Sequence, residues 1–175
     1  MQNRALHTRG FSLVELIIYI GVFAVIFTVV GNSFYTFIRA EARAESSAFV
    51  DEALRFAGET ITRDIERASL VITPTKTATS SALVLIRDGE QVVYTFVDGV
   101  LTRQIGTSTP ESLTAQTVRF TTTSFSRVEN YQAVPNASST SIYWELSAKH
   151  RNEAPEFSFV GYKEGTAQLR TYMVW

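Results

Sequence analysis

From Leu16 to Ile38 the chain carries no charged side chain, and most of its positions there are large and apolar. At about 1.5 Å per residue, this run of about 23 residues makes a helix of about 35 Å, enough to cross the hydrocarbon core of a bilayer. The helix is expected to continue past the apolar run. Val50, Leu54, Ala57, Ile61, Ile65 and Ala68 recur at spacings of three and four and form one apolar stripe. Asp51, Arg55, Glu59, Arg63 and Arg67 recur every four residues on the opposite face, with Asp51–Arg55 and Glu59–Arg63 in the favoured acid-before-base order. The stripe is expected to pack on a sheet and the charges to face solvent. Gly58 costs about 1 kcal/mol relative to alanine in such a helix without breaking it. Thr73-Pro74 is the expected stop, since proline disfavours helical geometry in the residue before it.

Beyond a Ser/Thr-rich connector over 75–81, the period changes from 3.6 to two. Ala82–Arg87, Gln91–Val97 and Val100–Ile105 read as strands, joined by the two-residue turns Asp88-Gly89 and Asp98-Gly99, a three-strand meander. A second Ser/Thr-rich loop covers 106–116. Thr117–Phe125 alternates with Val118 and Phe120 inward, and Ser141–Lys149 alternates with Ile142, Trp144, Leu146 and Ala148 on one face. Arg151–Pro155 reads as a polar turn. Glu156–Tyr162 and Gln168–Val174 read as the last strands, with Lys163-Glu164-Gly165 as their connection. The fold class is therefore α+β: a long N-terminal helix, membrane-spanning in its first half and amphipathic in its second, on an antiparallel sheet domain. The expected boundaries are a basic segment over 1–10, an apolar helix over 11–38, its amphipathic continuation over 39–72 and a β-rich head over 73–175. The chain after about Arg39 should fold as a soluble unit.

Composition narrows the chemistry. Without the apolar stretch roughly 135 residues remain, enough for a real hydrophobic core. A net charge of −1 over 175 residues argues against a general nucleic-acid surface, leaving such binding to a local feature of the head. There is no cysteine, hence no disulfide, thiolate metal site or cysteine nucleophile. Of the two histidines, His7 lies in the basic segment and His150 beside a turn, too few for a multi-histidine centre. No serine sits in a nucleophile elbow, and no phosphate loop or Gly-rich nucleotide fingerprint occurs. Asp88, Glu90 and Asp98 lack the ligand spacing of a calcium loop and read as hairpin residues. No catalytic residue, metal site or cofactor is assigned, and an enzyme is not the reading these residues favour.

One residue does not suit a simple anchor. Glu15 opens the apolar helix, where an unpaired carboxylate costs about 2.5–3.5 kcal/mol at a helix centre and less near an interface. It belongs to the stretch Arg9-Gly10-Phe11-Ser12-Leu13-Val14-Glu15-Leu16, behind a flank with Arg4, His7 and Arg9 and no acid. That flank should stay cytoplasmic, with the C-terminal domain translocated. An ordinary secretory signal has a much shorter apolar core. The stretch resembles the cleavage and methylation motif of type IV prepilins and of the pseudopilins of type II secretion. The resemblance implies that a prepilin peptidase cuts between Gly10 and Phe11 and methylates the new amine of Phe11. It also implies that Glu15 is the acid used for filament assembly. The residues suit those roles physically: Gly10 has no side chain to obstruct a protease, and Glu15 lies one turn beyond Phe11 on the same face, able to meet the Phe11 amine of a neighbour.

Tyr94-Thr95-Phe96-Val97-Asp98-Gly99-Val100-Leu101-Thr102-Arg103 is similar to the hairpin of J-type minor pseudopilins and W-type minor pilins, in which a tyrosine strand turns at Asp-Gly into a Leu-x-Arg strand. The chain departs from many major pilins: it has no disulfide-closed loop and no proline near Asn32. The resemblance thus implies a minor pilin-like subunit at or near the tip of a pilus or pseudopilus. Its implied partners are other pilin or pseudopilin subunits, the prepilin peptidase, the inner-membrane assembly platform and membrane lipid. Its implied location is the bacterial inner membrane before cleavage and an extracytoplasmic filament afterwards. The rival readings are a major pilin and a signal-anchored binding module without a filament role.

Overall fold

The computed structural model describes residues 12–131 and 138–169. One helix, α1 (Leu13–Arg67), is followed by nine strands: β1 (Ala68–Thr73), β2 (Thr79–Ser80), β3 (Leu83–Arg87), β4 (Glu90–Val97), β5 (Val100–Ile105), β6 (Glu111–Ser112), β7 (Val118–Tyr131), β8 (Ser138–His150) and β9 (Val160–Gln168). A single 3-10 turn, Pro155–Phe157, precedes β9. The architecture is α+β, as the change of period implies. The chain divides into two compact units, one ending at Glu41 and one beginning at Ala42.

In the second unit the apolar stripe of α1 is the spine of the core. Val50, Leu54, Ala57, Ile61 and Ile65 are all buried, and burial of each larger side chain contributes about 1.5–3 kcal/mol. The charged series from Asp51 to Arg67 faces solvent, as expected. The ion pair on that face joins Arg55 to Glu59 at 3.8 Å, the reverse order to the pairs expected from the sequence. Exposed pairs of this kind contribute little, so the choice of partner has small energetic consequence.

Two antiparallel sheets supply the rest of the core. One has the order β1-β3-β4-β5-β6 and the other β2-β7-β8-β9. The meander forms where the turn residues predict it. Asp88-Gly89 and Asp98-Gly99 both have positive φ at each position, the backbone that suits a tight two-residue hairpin. Val118 and Phe120 point inward on β7, but a bulge between Phe120 and Thr122 shifts the phase. Thr123 and Phe125 are the buried residues after it. The sheets are tied by the backbone N–H of Phe120, which donates to Gly99 O at 3.0 Å, and by Arg127 Nη1, which donates to Val71 O at 3.0 Å.

Several features differ from the sequence expectations, among them the strand expected from Glu156, which begins only at Val160, after the 3-10 turn. The helix stops at Arg67, and Ala68–Thr73 is a strand paired with β3 rather than a last helical turn. Val71, Ile72 and Thr73 are β-branched, and a free edge on β3 offers their backbone a ladder. The connectors over 75–81 and 106–116 each contain a two-residue strand. Lys163-Glu164-Gly165 is not a turn. It lies inside β9, with Glu164 opposite Glu145 and Gly165 opposite Trp144. The glycine is there for close approach, since a Cβ at Gly165 would run into the Trp144 ring. Of the strand expected over 168–174, residues 170–174 lie outside the described residues.

Trp144 also explains Gly58. A Cβ at Gly58 would sit 2.5 Å from Trp144 Cη2. The indole is 3 % exposed, and its Nε1 donates to Thr62 Oγ1 at 3.2 Å, so it cannot slide away without losing that bond. Glycine is therefore favoured at a helical position where propensity alone favours alanine. Gly58→Ala should lower stability by about 1–2 kcal/mol, the overpacking penalty less the helix-propensity gain. In Trp144→Phe, whose ring lacks the contacting edge, the same substitution should cost measurably less. Urea unfolding of the full chain in detergent, read as a double-mutant cycle, checks this; additive effects would contradict it.

Candidate functional site

The apolar segment of α1 has the surface of a helix made for a non-aqueous solvent or for other helices. Every large apolar side chain from Leu13 to Ile38 is between 48 % and 75 % exposed. By length and composition this part of α1 can cross a membrane. Its serine and threonine hydroxyls are satisfied within the helix: Thr28, Ser33 and Thr36 donate to the carbonyls of Ala24, Val29 and Asn32 at 2.8, 2.9 and 2.9 Å. Lipid offers no alternative partner to such groups. Arg39, the first charge after the segment, lies with its guanidinium 4.2 Å from the centre of the Tyr35 ring. An aromatic ring and a cation side by side are typical of a helix entering a membrane–water boundary.

Glu15 stands in the first turn of α1 and is exposed. The helix N-terminus favours a carboxylate there. Tyr19, one turn on, donates its hydroxyl to Glu15 Oε1 at 3.3 Å. No cation lies within ion-pair distance of Glu15 among the described residues. Gly10 and Phe11, the residues of the expected cleavage and methylation site, lie outside them. Gly21 and Gly31 face open space, leaving two places where another helix can approach closely.

A second constellation, which the sequence reading does not assemble, lies inside the second unit. Asp64 of α1 is 1 % exposed. Its Oδ1 accepts from Arg87 Nη1 at 2.7 Å and Arg103 Nη2 at 3.0 Å, and its Oδ2 from Arg103 Nε at 2.7 Å and the Tyr94 hydroxyl at 2.6 Å. Arg103 thus forms a two-pronged fork on the carboxylate, the strong geometry for this pair. Tyr94 and Arg103 are direct cross-strand neighbours on β4 and β5. They are also the tyrosine and arginine of the hairpin singled out in the sequence. Asp64 was missed because it falls outside the every-fourth charged series. The available signal was an acid between Ile61 and Ile65, on the edge of an otherwise apolar stripe.

Burial alone would raise the Asp64 pKa, but the hydrogen bonds from Arg103 and Tyr94 and the charges of Arg103 and Arg87 outweigh it and hold it below its ordinary value. Tyr94 is pushed well above its ordinary value by burial and by the Asp64 charge. The cluster satisfies the Asp64 carboxylate as a structural ion network and presents no nucleophile.

A third polar group decorates the outer face of the second sheet. Glu145 and Glu164 are opposite one another on β8 and β9, a like-charge pair that strands disfavour. The Tyr162 hydroxyl bridges them, donating to Glu164 Oε2 at 2.9 Å with Glu145 Oε1 at 3.2 Å, and Tyr143 also bonds both carboxylates. His150 stacks on Phe157 with ring centres 4.7 Å apart, and its Nδ1 accepts from the Asn152 N–H, a turn role. Among the described residues no group of three acidic, histidine or cysteine side chains is placed to hold a metal. Comparison of the chain with protein-family models, with curated proteins and with solved structures finds no match.

The network sets an expected pH response. Because the folded-state pKa of Asp64 is depressed, its contribution is present above the unfolded value of about 4 and is lost as pH falls through the folded value. Because that of Tyr94 is raised, its contribution is present below the unfolded value of about 10 and is lost as pH rises further. Asp64→Asn should destabilise the chain by about 3 kcal/mol at neutral pH, the lower end for a broken buried pair because both arginines reach solvent. The deficit relative to wild type should shrink below about pH 4. Urea midpoints from pH 3 to 8 check this; a deficit independent of pH would rule out the carboxylate as its source.

Proposed function

We propose that the chain is a minor pilin-like subunit, cut by a prepilin peptidase between Gly10 and Phe11, methylated at Phe11 and assembled into a type IV pilus or a type II secretion pseudopilus. The observation that carries this reading is α1 itself. It is one helix whose first half exposes its apolar side chains around a single acid in the first turn, and whose second half is the spine of an antiparallel β domain. In a filament, the apolar faces of neighbouring helices cover one another, and Glu15 of one subunit meets the Phe11 amine of the next. The Tyr94–Arg103 hairpin supports the minor over the major reading. The protein is the peptidase's substrate and catalyses nothing itself.

Two experiments test the proposal. In a host with a prepilin peptidase, mass spectrometry of the mature N-terminus should find methylated Phe11, and Gly10→Val should retain the leader. A wild-type protein beginning at Met1 would favour the signal-anchored module instead. Glu15→Val removes a charge from an apolar segment, so membrane insertion should be unimpaired. Entry into filaments should fall by about two decades, since removing one partner of a buried pair leaves the other uncompensated at about 3–5 kcal/mol. The ratio of filament-associated to membrane-associated protein measures it. Wild-type incorporation of Glu15→Val would reject the pairing role.

A further inference from the structure

The Asp64 network opens on a cleft of about 270 Å³ lined by Arg63, Arg67, Arg87 and Arg103 and by two acids, Asp64 and Glu111. The four guanidiniums exceed the two carboxylates by two positive charges. Asp64 is saturated by Arg87, Arg103 and Tyr94 and has nothing to spare for the other two arginines. Arg63 and Arg67 are exposed and have no carboxylate partner among the described residues. They are four residues apart on α1, hence on one face, where like charges oppose each other. The helix C-terminus favours a cation at Arg67, but its field fades within the last turn and does little for Arg63. Arg87 Nε is also left without a hydrogen-bond acceptor; Asp88 Oδ2, 3.6 Å away, is an ion-pair partner that offsets one of the two surplus charges.

We propose that this cleft is a binding site for a phosphoryl-type oxyanion, held by Arg63 and Arg67 above the Asp64 network. The guanidinium fork matches carboxylate and phosphate alike, bonding two oxygens at once. Two guanidiniums without a carboxylate partner, one helical turn apart, suit a group that offers several oxygens at once, as a phosphate does. Glu111 at the cleft opposes an anion and sets a limit on affinity. Arg87 and Arg103 are fixed by Asp64 and contribute field rather than movement, so the site is largely formed before the ligand arrives. The group is free in solution, since Arg63 lies 25 residues along α1 beyond Ile38, the end of the apolar segment.

The test uses the full chain in micelles of an uncharged maltoside detergent at pH 7.5, titrated with inorganic phosphate against sodium chloride of equal ionic strength. The arginine Nε–H signals are followed by NMR. In parallel, micelles are doped with phosphatidic acid. The Arg63→Gln/Arg67→Gln double variant should bind at least tenfold more weakly and Glu111→Gln at least twofold more tightly, with the fold intact in each. A control that removes two exposed arginines elsewhere, Arg43→Gln/Arg151→Gln, should bind as wild type does. Saturable phosphate binding with this pattern supports the site; a response to doped micelles alone, without one to phosphate, overturns it. Equal responses from the double variant and wild type, or a response reproduced by chloride, overturn the proposal.

Discussion

The second unit depends on one carboxylate. Asp64 brings a charge to the junction of helix and sheet, where a lone ion would cost several kcal/mol. Four donors from three side chains answer it, all from the meander: Arg87 from β3, Tyr94 from β4, and Arg103 twice from β5. Apolar packing is tolerant of small sliding, whereas a two-pronged fork and a short hydroxyl bond are not. The network therefore fixes the register between α1 and the meander in a way that the Val50–Ile65 stripe could not fix alone. This matters in a domain with no cysteine, where no covalent link can perform the same task.

The parts of the fold that were legible are those set by local periodicity. The stripe of α1, the three meander strands and the two Asp-Gly turns follow from spacing and turn chemistry within windows of ten or so residues. The parts that were not legible depend on partners far along the chain. Gly58 looked like a tolerated cost in a helix and is a seat for Trp144, 86 residues later in numbering. Gly165 looked like a turn for the same reason and is the other wall of that seat. Ala68–Thr73 leaves the helix because β3 is present to pair with it, which no helical propensity records. Asp64 shows the same limit from the electrostatic side. Its neighbours Ile61 and Ile65 hint that it sits at the edge of the stripe but name no partner, and only the register of β4 against β5 brings Tyr94 and Arg103 together beneath it.

Two acids on one helix mark out two different solvents. Asp64 and Glu15 are both carboxylates on α1, but the chain treats them oppositely. Asp64 is enclosed and given four donors, two on each oxygen, as many as a carboxylate accepts. Glu15 is left exposed among apolar neighbours, with one tyrosine hydroxyl and no cation among the described residues. A residue whose purpose was to stabilise its own subunit would look like Asp64. In water, the exposed surface from Leu13 to Ile38 is far larger than the apolar patches soluble monomers display. In lipid it is unremarkable, but there the Glu15 charge has a tyrosine hydroxyl and no cation among the described residues.

That contrast bears on how insertion and assembly can be separated. A hydrophobic surface alone gives a helix affinity for lipid and for other helices without regard to which helix or in what register, since one apolar contact is much like another. An acid that remains unsatisfied in lipid changes this, because its cost is relieved only by a partner bringing a cation to the same depth. On the proposed function, the apolar surface sets how strongly the helix leaves water, and Glu15 would set which arrangement of helices is accepted. The two terms are physically distinct: the first grows with area, and the second depends on one contact and on the presence of a free amine. A subunit whose amine is still blocked by a leader would keep the first term and lack the second. On the proposed function, such a subunit would wait in the membrane without polymerising, and the proposed cleavage between Gly10 and Phe11 would supply the missing amine.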